Sequence, residues 1–322
     1  MKTSLLFQGI EKDMEQVEDE LAQLVKAENQ LLSQSSRHLL QAGGKRLRPA
    51  FVLLAGKFCE FPGEQLVPLA VALELIHMAS LVHDDVIDAS LTRRGVPTVK
   101  ACWGNRISMH TGDYLFARAL QIISQYQDPR ILQILSDVSI KMVEGEIQQI
   151  VTAFDVEQGL KDYLYRIKRK TALLISTSCG LGAIASGAPP HLIRSLTRYG
   201  HYVGMAFQIT DDLLDFISTE EELGKAVGSD LSQGIITLPV IYTLKCKSQG
   251  TRLRELIRDI QGGNNGLSEA LEIVRKGSGI ADTSAVADRY INKAKHELEQ
   301  LPAIPIREAL ENIADFISIR KY

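Results

Sequence analysis

The sequence predicts an all-α protein. Apolar residues recur at three-to-four spacing along nearly the whole chain, and runs of alternating β-branched residues are too few to build a sheet. The interruptions are Gly and Pro clusters of the kind that end and open helices.

Residues 8 to 40 read as one or two amphipathic helices, with Met14, Val17, Leu21, Leu24 and Val25 on the apolar side. Gly43-Gly44 breaks this region and Pro49 opens the next helix. In VALELIHMASLVHDD the helical period is held by Leu73, Ile76, Ala79 or Ser80, and Leu81 to Val82. Further breaks fall at FPGE near 62, QDPR near 128, SGAPP near 188, QGGNNG near 263 and LPAIP near 303. No linker, repeat or low-complexity segment divides the chain. Residues 1–322 are therefore expected to form one domain around a cavity between helices, where such folds place their sites.

With 45% hydrophobic and 23% charged residues the 322-residue chain has the composition of a soluble globular protein. Lys plus Arg number 36 against 39 acids, so no basic excess points to nucleic acid. Cys59, Cys102, Cys179 and Cys246 lie far apart with no CxxC pair, which signals neither a zinc site nor a disulfide framework and suits a reduced cytoplasm. MKTSLLFQGIEKDMEQ reaches its acids too early for a signal peptide. The charge-free run at 171–190 is diluted by Ser, Thr and Gly and ended by Pro189-Pro190; it is expected to be a buried helix whose small residues permit close packing.

Two acidic clusters are the sharpest local signal. LVHDDVIDASLTRRG carries Asp84, Asp85 and Asp88 after a long apolar segment, and FQITDDLLD repeats the grammar with Asp211, Asp212 and Asp215. On a helix Asp84 and Asp88 lie one turn apart on one face, while Asp85 is rotated by about 100°. Asp211 and Asp215 repeat that spacing. Such carboxylates suit Mg²⁺, a hard cation that takes oxygen ligands, keeps waters and shares substrate phosphates. A solvated acidic face is the alternative for either cluster alone. An EF-hand is excluded because its loop Gly and distant Glu are missing. Arg93 and Arg94 follow the first cluster, and QAGGKRLRP supplies Lys45, Arg46 and Arg48, cations suited to phosphate oxygens although common on surfaces. GxxxxGK[ST] is absent, so this is no P-loop.

GGKRLRP (43–49), ELIHMASLVHDDVIDASLTRRGVPT (74–98), GDYL (112–115), KTA (170–172), FQITDDLLD (207–215) and LGKAVGSDLSQGIITLP (223–239) stand in an order and spacing that resemble the trans-type polyprenyl diphosphate synthases. The resemblance covers roughly residues 40 to 240. It implies an isoprenoid-synthase-type bundle of antiparallel helices around a central cavity. The implied reaction ionises an allylic diphosphate, lets the double bond of isopentenyl diphosphate attack the cation and removes a proton. About three Mg²⁺ ions are implied with substrate bound, in a site that excludes water.

Carried over by residue, Asp84 and Asp88 are the implied metal ligands of the first motif, with Asp85 in support. Asp211 leads the second, and Asp212 and Asp215 act behind it or through water. Arg93, Lys170, Gln208 and Lys225 are implied at the allylic diphosphate, with Thr171 polarising the developing cation. Gly44, Lys45, Arg48, His77 and Arg94 are implied around the diphosphate of isopentenyl diphosphate. By itself His77 reads as a core histidine, seven residues before Asp84 on the same face, and Lys170 reads as part of the solvated basic run RIKRK. His83 is assigned a structural place. Glu144, Glu146 and Gln148 are expected to pack and hydrogen-bond without a chemical role.

Two departures stand out in 223–239: Ala226 replaces the family's proline, and Ile235 replaces its second lysine. The second removes a charge near the allylic diphosphate and puts in doubt full activity of this chain alone. Catalytic subunits of two-component hexaprenyl and heptaprenyl synthases also vary there, and the closing IRKY resembles their C-termini. A homodimer, or a heterodimer with a small regulatory subunit, is expected, with transient membrane contact for product release. Beneath the first cluster, Ser80, Ala79 and Ile76 are expected to set chain length. Ala79 and Ser80 lack the bulky floor of short-product enzymes, which implies products of about C30 to C40 or more, for quinone side chains. A class I terpene cyclase would carry one DDxxD and an Asn/Ser-type metal motif, and a non-catalytic partner subunit would carry degenerate acidic clusters.

Overall fold

The computed structural model describes residues 7–59, 66–223 and 226–319. In chain order its helices are α1 (Glu11–Leu24), α2 (Gln30–Gln41), α3 (Leu47–Gly56), α4 (Leu66–Ile87), α5 (Val99–Ile123), α6 (Pro129–Val151), α7 (Leu160–Ile167), α8 (Leu173–Ala185), α9 (Pro190–Ile217), α10 (Glu220–Leu223), α11 (Ser229–Ser232), α12 (Leu238–Leu244), α13 (Gly250–Gln261), α14 (Leu267–Lys276), α15 (Gly279–Glu299) and α16 (Pro305–Ile319). Between α4 and α5 one antiparallel pair, β1 (Thr92–Arg93) and β2 (Val96–Pro97), interrupts the helices. The all-α expectation holds.

The local chemistry explains most boundaries. The region before the double glycine is two helices, because the Asn29 side chain accepts the Leu31 and Leu32 N–H groups at 3.0 and 3.1 Å and caps α2. Helix α3 begins at Leu47, two residues before Pro49, since Arg46 takes the left-handed conformation (φ 46°) just ahead of it. Pro49 thus lies in the first turn, where its missing N–H costs nothing. Pro129, Pro190 and Pro305 open α6, α9 and α16. FPGE lies outside the described residues.

The chain separates into two compact units. Unit one comprises Met1–Asp137, Leu174–Gly200 and Glu297–Asn312; unit two comprises Val138–Leu173, His201–His296 and Ile313–Tyr322. The core of unit one includes the fully buried Phe51, Leu53, Leu54, Leu69 and Leu73. Helix α8 is buried as expected, and its small residues bring backbones together. A β-carbon at Gly182 would fall 2.2 Å from the Val52 carbonyl oxygen. The buried Tyr199 hydroxyl donates to the Leu310 carbonyl at 2.7 Å. Among the described residues, one helix, α4, is long and apolar enough to cross a membrane by length and composition, and 72% of its most apolar stretch is buried within the protein.

Unit two packs Tyr163, Ile167, Met205, Ile209, Phe216, Ile236 and Val240 into one core. Here α7 does not stop but continues through a π-helical turn, Lys168–Ala172, into α8. Gly204 admits the turn against α9, where a β-carbon would lie 2.7 Å from the Ala172 α-carbon. Single π turns inside helices recur at functional sites, and this one carries Lys170 and Thr171.

Candidate active site

The first acidic cluster ends α4. Asp84 and Asp88 are half-buried, whereas Asp85 is 1% exposed. Arg93 donates to Asp85 Oδ1 from Nε at 3.0 Å and from Nη2 at 2.7 Å. The hairpin makes this possible: Arg94 and Gly95 between β1 and β2 both have positive φ, 53° and 78°, the signs of a type I′ connection. The tight turn folds Arg93 back eight residues onto the helix end. His83 lies across α5, where Gly112 leaves it room; a β-carbon there would sit 2.3 Å from its ring. Its Nε2 is 3.4 Å from Asp113 and 3.2 Å from the Met109 carbonyl oxygen, which suits the structural place assigned to it.

The second cluster, in unit two, is arranged differently. Asp211 is half-buried, but Asp212 and Asp215 are buried. Asp215 accepts from the Ser229 hydroxyl at 3.3 Å and the Asp230 N–H at 3.2 Å, so it holds the start of α11. Asp212 accepts from Tyr163 Oη at 2.7 Å and from Gln208 Nε2 at 2.7 Å. Thr171 Oγ1 in turn donates to Gln208 Oε1 at 2.5 Å. Burial, then the charge of Asp230, pushes the Asp212 carboxyl up to about 7, against its two hydrogen bonds and the Arg166 guanidinium. Burial and the neighbouring Asp212 push the Tyr163 phenol well above its usual range, so it stays a donor.

Lys170 is not part of a solvated face. Its Nζ lies 3.1 Å from Glu146 and 3.4 Å from Gln149 Oε1, and Arg169 pairs with Glu144. The two glutamates thus steady the basic π turn through hydrogen bonds, as expected of them, while Gln148 is exposed. Lys225 lies outside the described residues. Ala226 is exposed, and the half-buried Ile235 is held by its N–H on the Asp230 carbonyl at 2.9 Å.

A cationic group gathers in unit one. Arg48 and Arg94 share the field of the buried Glu74, and His77 lies in the fields of Arg48, Arg94, Arg93 and Arg46. Burial first, then those arginines, holds the His77 imidazole well below its usual range, so it is neutral at pH 7. Burial pushes Arg48 down to about 10 despite Glu74. Arg46 is tied away in a structural role, 2.6 Å from Glu18 and 3.1 Å from Glu74. A β-carbon on Gly44 would stand 2.9 Å from a guanidinium nitrogen of both Arg46 and Arg94, so any larger residue there would have to displace one of these side chains. Lys45 is exposed. Glu74 was missed by sequence reasoning, although a lone acid inside LVPLAVALELIHMASL was a visible signal.

Below the first cluster, Ile76 and Ala79 are buried and Ser80 is half-buried, its hydroxyl returned to the His77 carbonyl at 2.8 Å. Among the described residues no group of three or more His, Cys, Asp or Glu is disposed as a complete metal cage. The donor set still fits a hard cation: in each cluster the half-buried acids are carboxylate oxygens, and a Mg²⁺ site of this kind is completed by waters and substrate phosphate.

Residues 29–274 match the description of the polyprenyl synthetase family. The chain belongs to that family. Over 325 residues it is 47% identical to heptaprenyl diphosphate synthase component 2 of Geobacillus stearothermophilus, covering 100% of both chains. The crystal structure of heptaprenyl diphosphate synthase from Staphylococcus aureus superposes with a TM-score of 0.93 at 38% identity, covering 98% of this chain and 100% of that one. The polyprenyl synthase from Caulobacter crescentus CB15, complexed with calcium and isoprenyl diphosphate, gives 0.94 at 33% identity, covering 100% and 98%. As a polyprenyl synthetase family member the protein is a prenyltransferase, which elongates an allylic diphosphate by condensation with isopentenyl diphosphate.

Proposed function

We propose that this prenyltransferase makes a polyprenyl diphosphate of about C30 to C40 or more, the range set by the small Ala79 and Ser80 below the first acidic cluster. The heptaprenyl products named for its relatives support that range. One observation carries the site assignment: each acidic cluster is divided by burial, with Asp85 buried on Arg93 and Asp212 buried on Tyr163 and Gln208, while Asp84, Asp88 and Asp211 are half-buried. A surface patch of solvated acids has no reason to be divided in this way.

In this reading Asp84, Asp88 and Asp211 would hold divalent cations, about three Mg²⁺ with substrate bound, while Asp85, Asp212 and Asp215 hold their surroundings. Bound Mg²⁺ supplies positive charge to the diphosphate that leaves. Arg93, Lys170, Gln208 and Lys225 orient that diphosphate, and Asp85 holds Arg93 ready for it. The allylic C–O bond breaks with its electron pair going to oxygen, and the Thr171 and Gln208 side-chain oxygens face the positive charge left on carbon. Arg48, Arg94, Lys45 and neutral His77, beside the open backbone of Gly44, bind the second diphosphate. No carboxylate is assigned to its phosphates, because that diphosphate must stay attached while its double bond attacks and a proton is lost. The whole chain acts as one synthase domain.

A second polypeptide belongs in this reading. Ile140, Val143, Ile147 and Ile150 on α6 alternate at three- and four-residue steps and are 49 to 64% exposed, a seam suited to another helix. The name "component 2" of the Geobacillus relative supports a partner of different sequence, a small regulatory subunit, over a second copy. A cytoplasmic location, with membrane contact only as the lipid product departs, completes the picture.

The test is incubation of the purified chain with Mg²⁺, farnesyl diphosphate and labelled isopentenyl diphosphate, alone and with the candidate partner chain. Chromatography should show a medium-to-long product. Elongation absent under every condition would sink the reading.

A further inference from the structure

Unit two buries a guanidinium that the family resemblance does not assign. Arg166, on α7, is 4% exposed. Its Nη1 donates to Gln158 Oε1 at 3.0 Å and its Nη2 to the Ile236 carbonyl at 2.6 Å. Both acceptors are uncharged. Burying a cation on neutral partners is costly, so its charge needs a counterweight nearby. That counterweight is the second acidic cluster. The Arg166 guanidinium carbon lies 5.6 Å from the Tyr163 ring centroid, and the Tyr163 hydroxyl reaches Asp212 at 2.7 Å. Asp212 is in the field of Arg166 as well as of Asp230.

The location adds a second argument. Ile236, which Arg166 holds, adjoins Ile235, the position where the family resemblance places a lysine. The same segment is fastened from the other side, where the Phe154 N–H donates to the Gly234 carbonyl at 2.8 Å. Gln158 is itself anchored through Nε2 to the Thr152 and Asp155 carbonyls at 2.7 and 3.0 Å. The guanidinium therefore joins three pieces of unit two: the turn after α6, helix α7 and the segment before α12.

We propose that Arg166 is a positioning residue for the second acidic cluster, supplying fixed positive charge beside Asp212 through the Tyr163 face and offsetting the lysine that Ile235 lacks. The inference rests on the prenyl synthase reading. Its charge favours the allylic diphosphate, and its hydrogen bonds brace the segment; the two contributions separate by substitution.

The experiment compares Arg166→Gln, Arg166→Lys and Gln158→Ala in the full chain, together with any partner subunit that activity requires. Kinetics are measured for farnesyl diphosphate and isopentenyl diphosphate separately, beside melting temperature. Binding of farnesyl thiodiphosphate with Mg²⁺ is followed by calorimetry. Arg166→Gln should raise the farnesyl diphosphate KM and the thiodiphosphate Kd about tenfold while leaving the isopentenyl diphosphate KM within about twofold. Arg166→Lys should recover both primer constants to within about threefold yet melt lower, because lysine keeps the charge and loses the fork. Gln158→Ala should lower the melting temperature without moving the primer KM. Equal primer defects in the Lys and Gln variants, or losses that simply follow the melting temperature, would overturn the proposal. If Arg166→Gln does not fold, Arg166→Lys decides alone: a raised primer Kd rejects a charge role, an unchanged one at lower melting temperature sustains it. Because the calorimetry needs no turnover, a chain that binds the thiodiphosphate but never elongates would refute the synthase reading while still deciding the role of Arg166.

Discussion

Arg93 places two hydrogen bonds, at 3.0 and 2.7 Å, on a single carboxylate oxygen of the buried Asp85. The three acids of the first cluster therefore do different work. Asp84 and Asp88 are half-buried, while Asp85 is buried and holds the Arg93 guanidinium against the end of α4. Charge-assisted pairs of this kind are strong enough to fix a side chain that would otherwise sample many rotamers.

Substituting the three acids should accordingly give different kinetics. On the proposed metal assignment, Asp84→Ala should lower kcat by about a thousandfold or more, since it would remove a ligand needed for charge stabilisation in the transition state. Asp85→Asn should chiefly raise the allylic diphosphate KM, by about tenfold, as Arg93 loses its anchor. Steady-state kinetics of both variants check this, and a near-normal Asp84→Ala enzyme would reject the metal assignment.

Ala79 is 3% exposed on α4, five residues before Asp84. Ala79→Phe should raise the floor of the product passage and shorten the products by at least one five-carbon unit. An unchanged product distribution on chromatography would count against the floor.

The Tyr163 hydroxyl is one of two side-chain donors fixing the buried Asp212. Tyr163→Phe leaves one oxygen of that carboxyl unsatisfied and should destabilise the fold by about 1–3 kcal/mol. Chemical denaturation provides the measurement, and the primer KM should rise with it.

Stability should also depend on two histidines. Burial first, then nearby cations, lowers His77 well below its usual value and His201 to about 4. The unfolded chain binds protons at both positions near pH 6.5, before the folded chain does, so their contribution is present above that pH and is lost as pH falls below it. Melting temperature should therefore drop between pH 7 and 5, and His201→Gln should flatten that drop. A pH-independent gap between the two proteins would contradict the assignment.

Gly44→Ala would place a β-carbon 2.9 Å from guanidinium nitrogens of Arg46 and Arg94. Arg94 is the freer of the two and should be displaced, raising the isopentenyl diphosphate KM by about tenfold with little change in melting temperature. Separate titration of the two substrates distinguishes this from a defect at the allylic site.

Much of the fold was legible because its signals are local. Pro129, Pro190 and Pro305 mark helix starts through a missing N–H and a preset φ, and Asp84 and Asp88 share a face through the helical repeat alone. Pro49 misled by two residues, since the left-handed Arg46 ahead of Leu47, not the proline, sets the start of α3. The site was half legible. The acidic clusters and the arginines stand out in the sequence, but the pairing of Lys170 with Glu146, 24 residues away, has no local signal. The same holds for Tyr163 on Asp212, 49 residues away, and for Glu74 among the arginines.

The amino-acid sequence by itself determined an all-helical chain, two spaced acidic clusters at the ends of apolar helices, and the family to which their order belongs. Only the tertiary structure decided which acids are half-buried and which are buried on donors, that burial and neighbouring arginines depress the His77 imidazole, and that Arg166 is buried on Gln158 and the Ile236 carbonyl. The division has a physical cause. Helix period and capping depend on residues a few positions apart, whereas burial, hydrogen-bond partners and the fields that shift a proton come from side chains that only folding brings together.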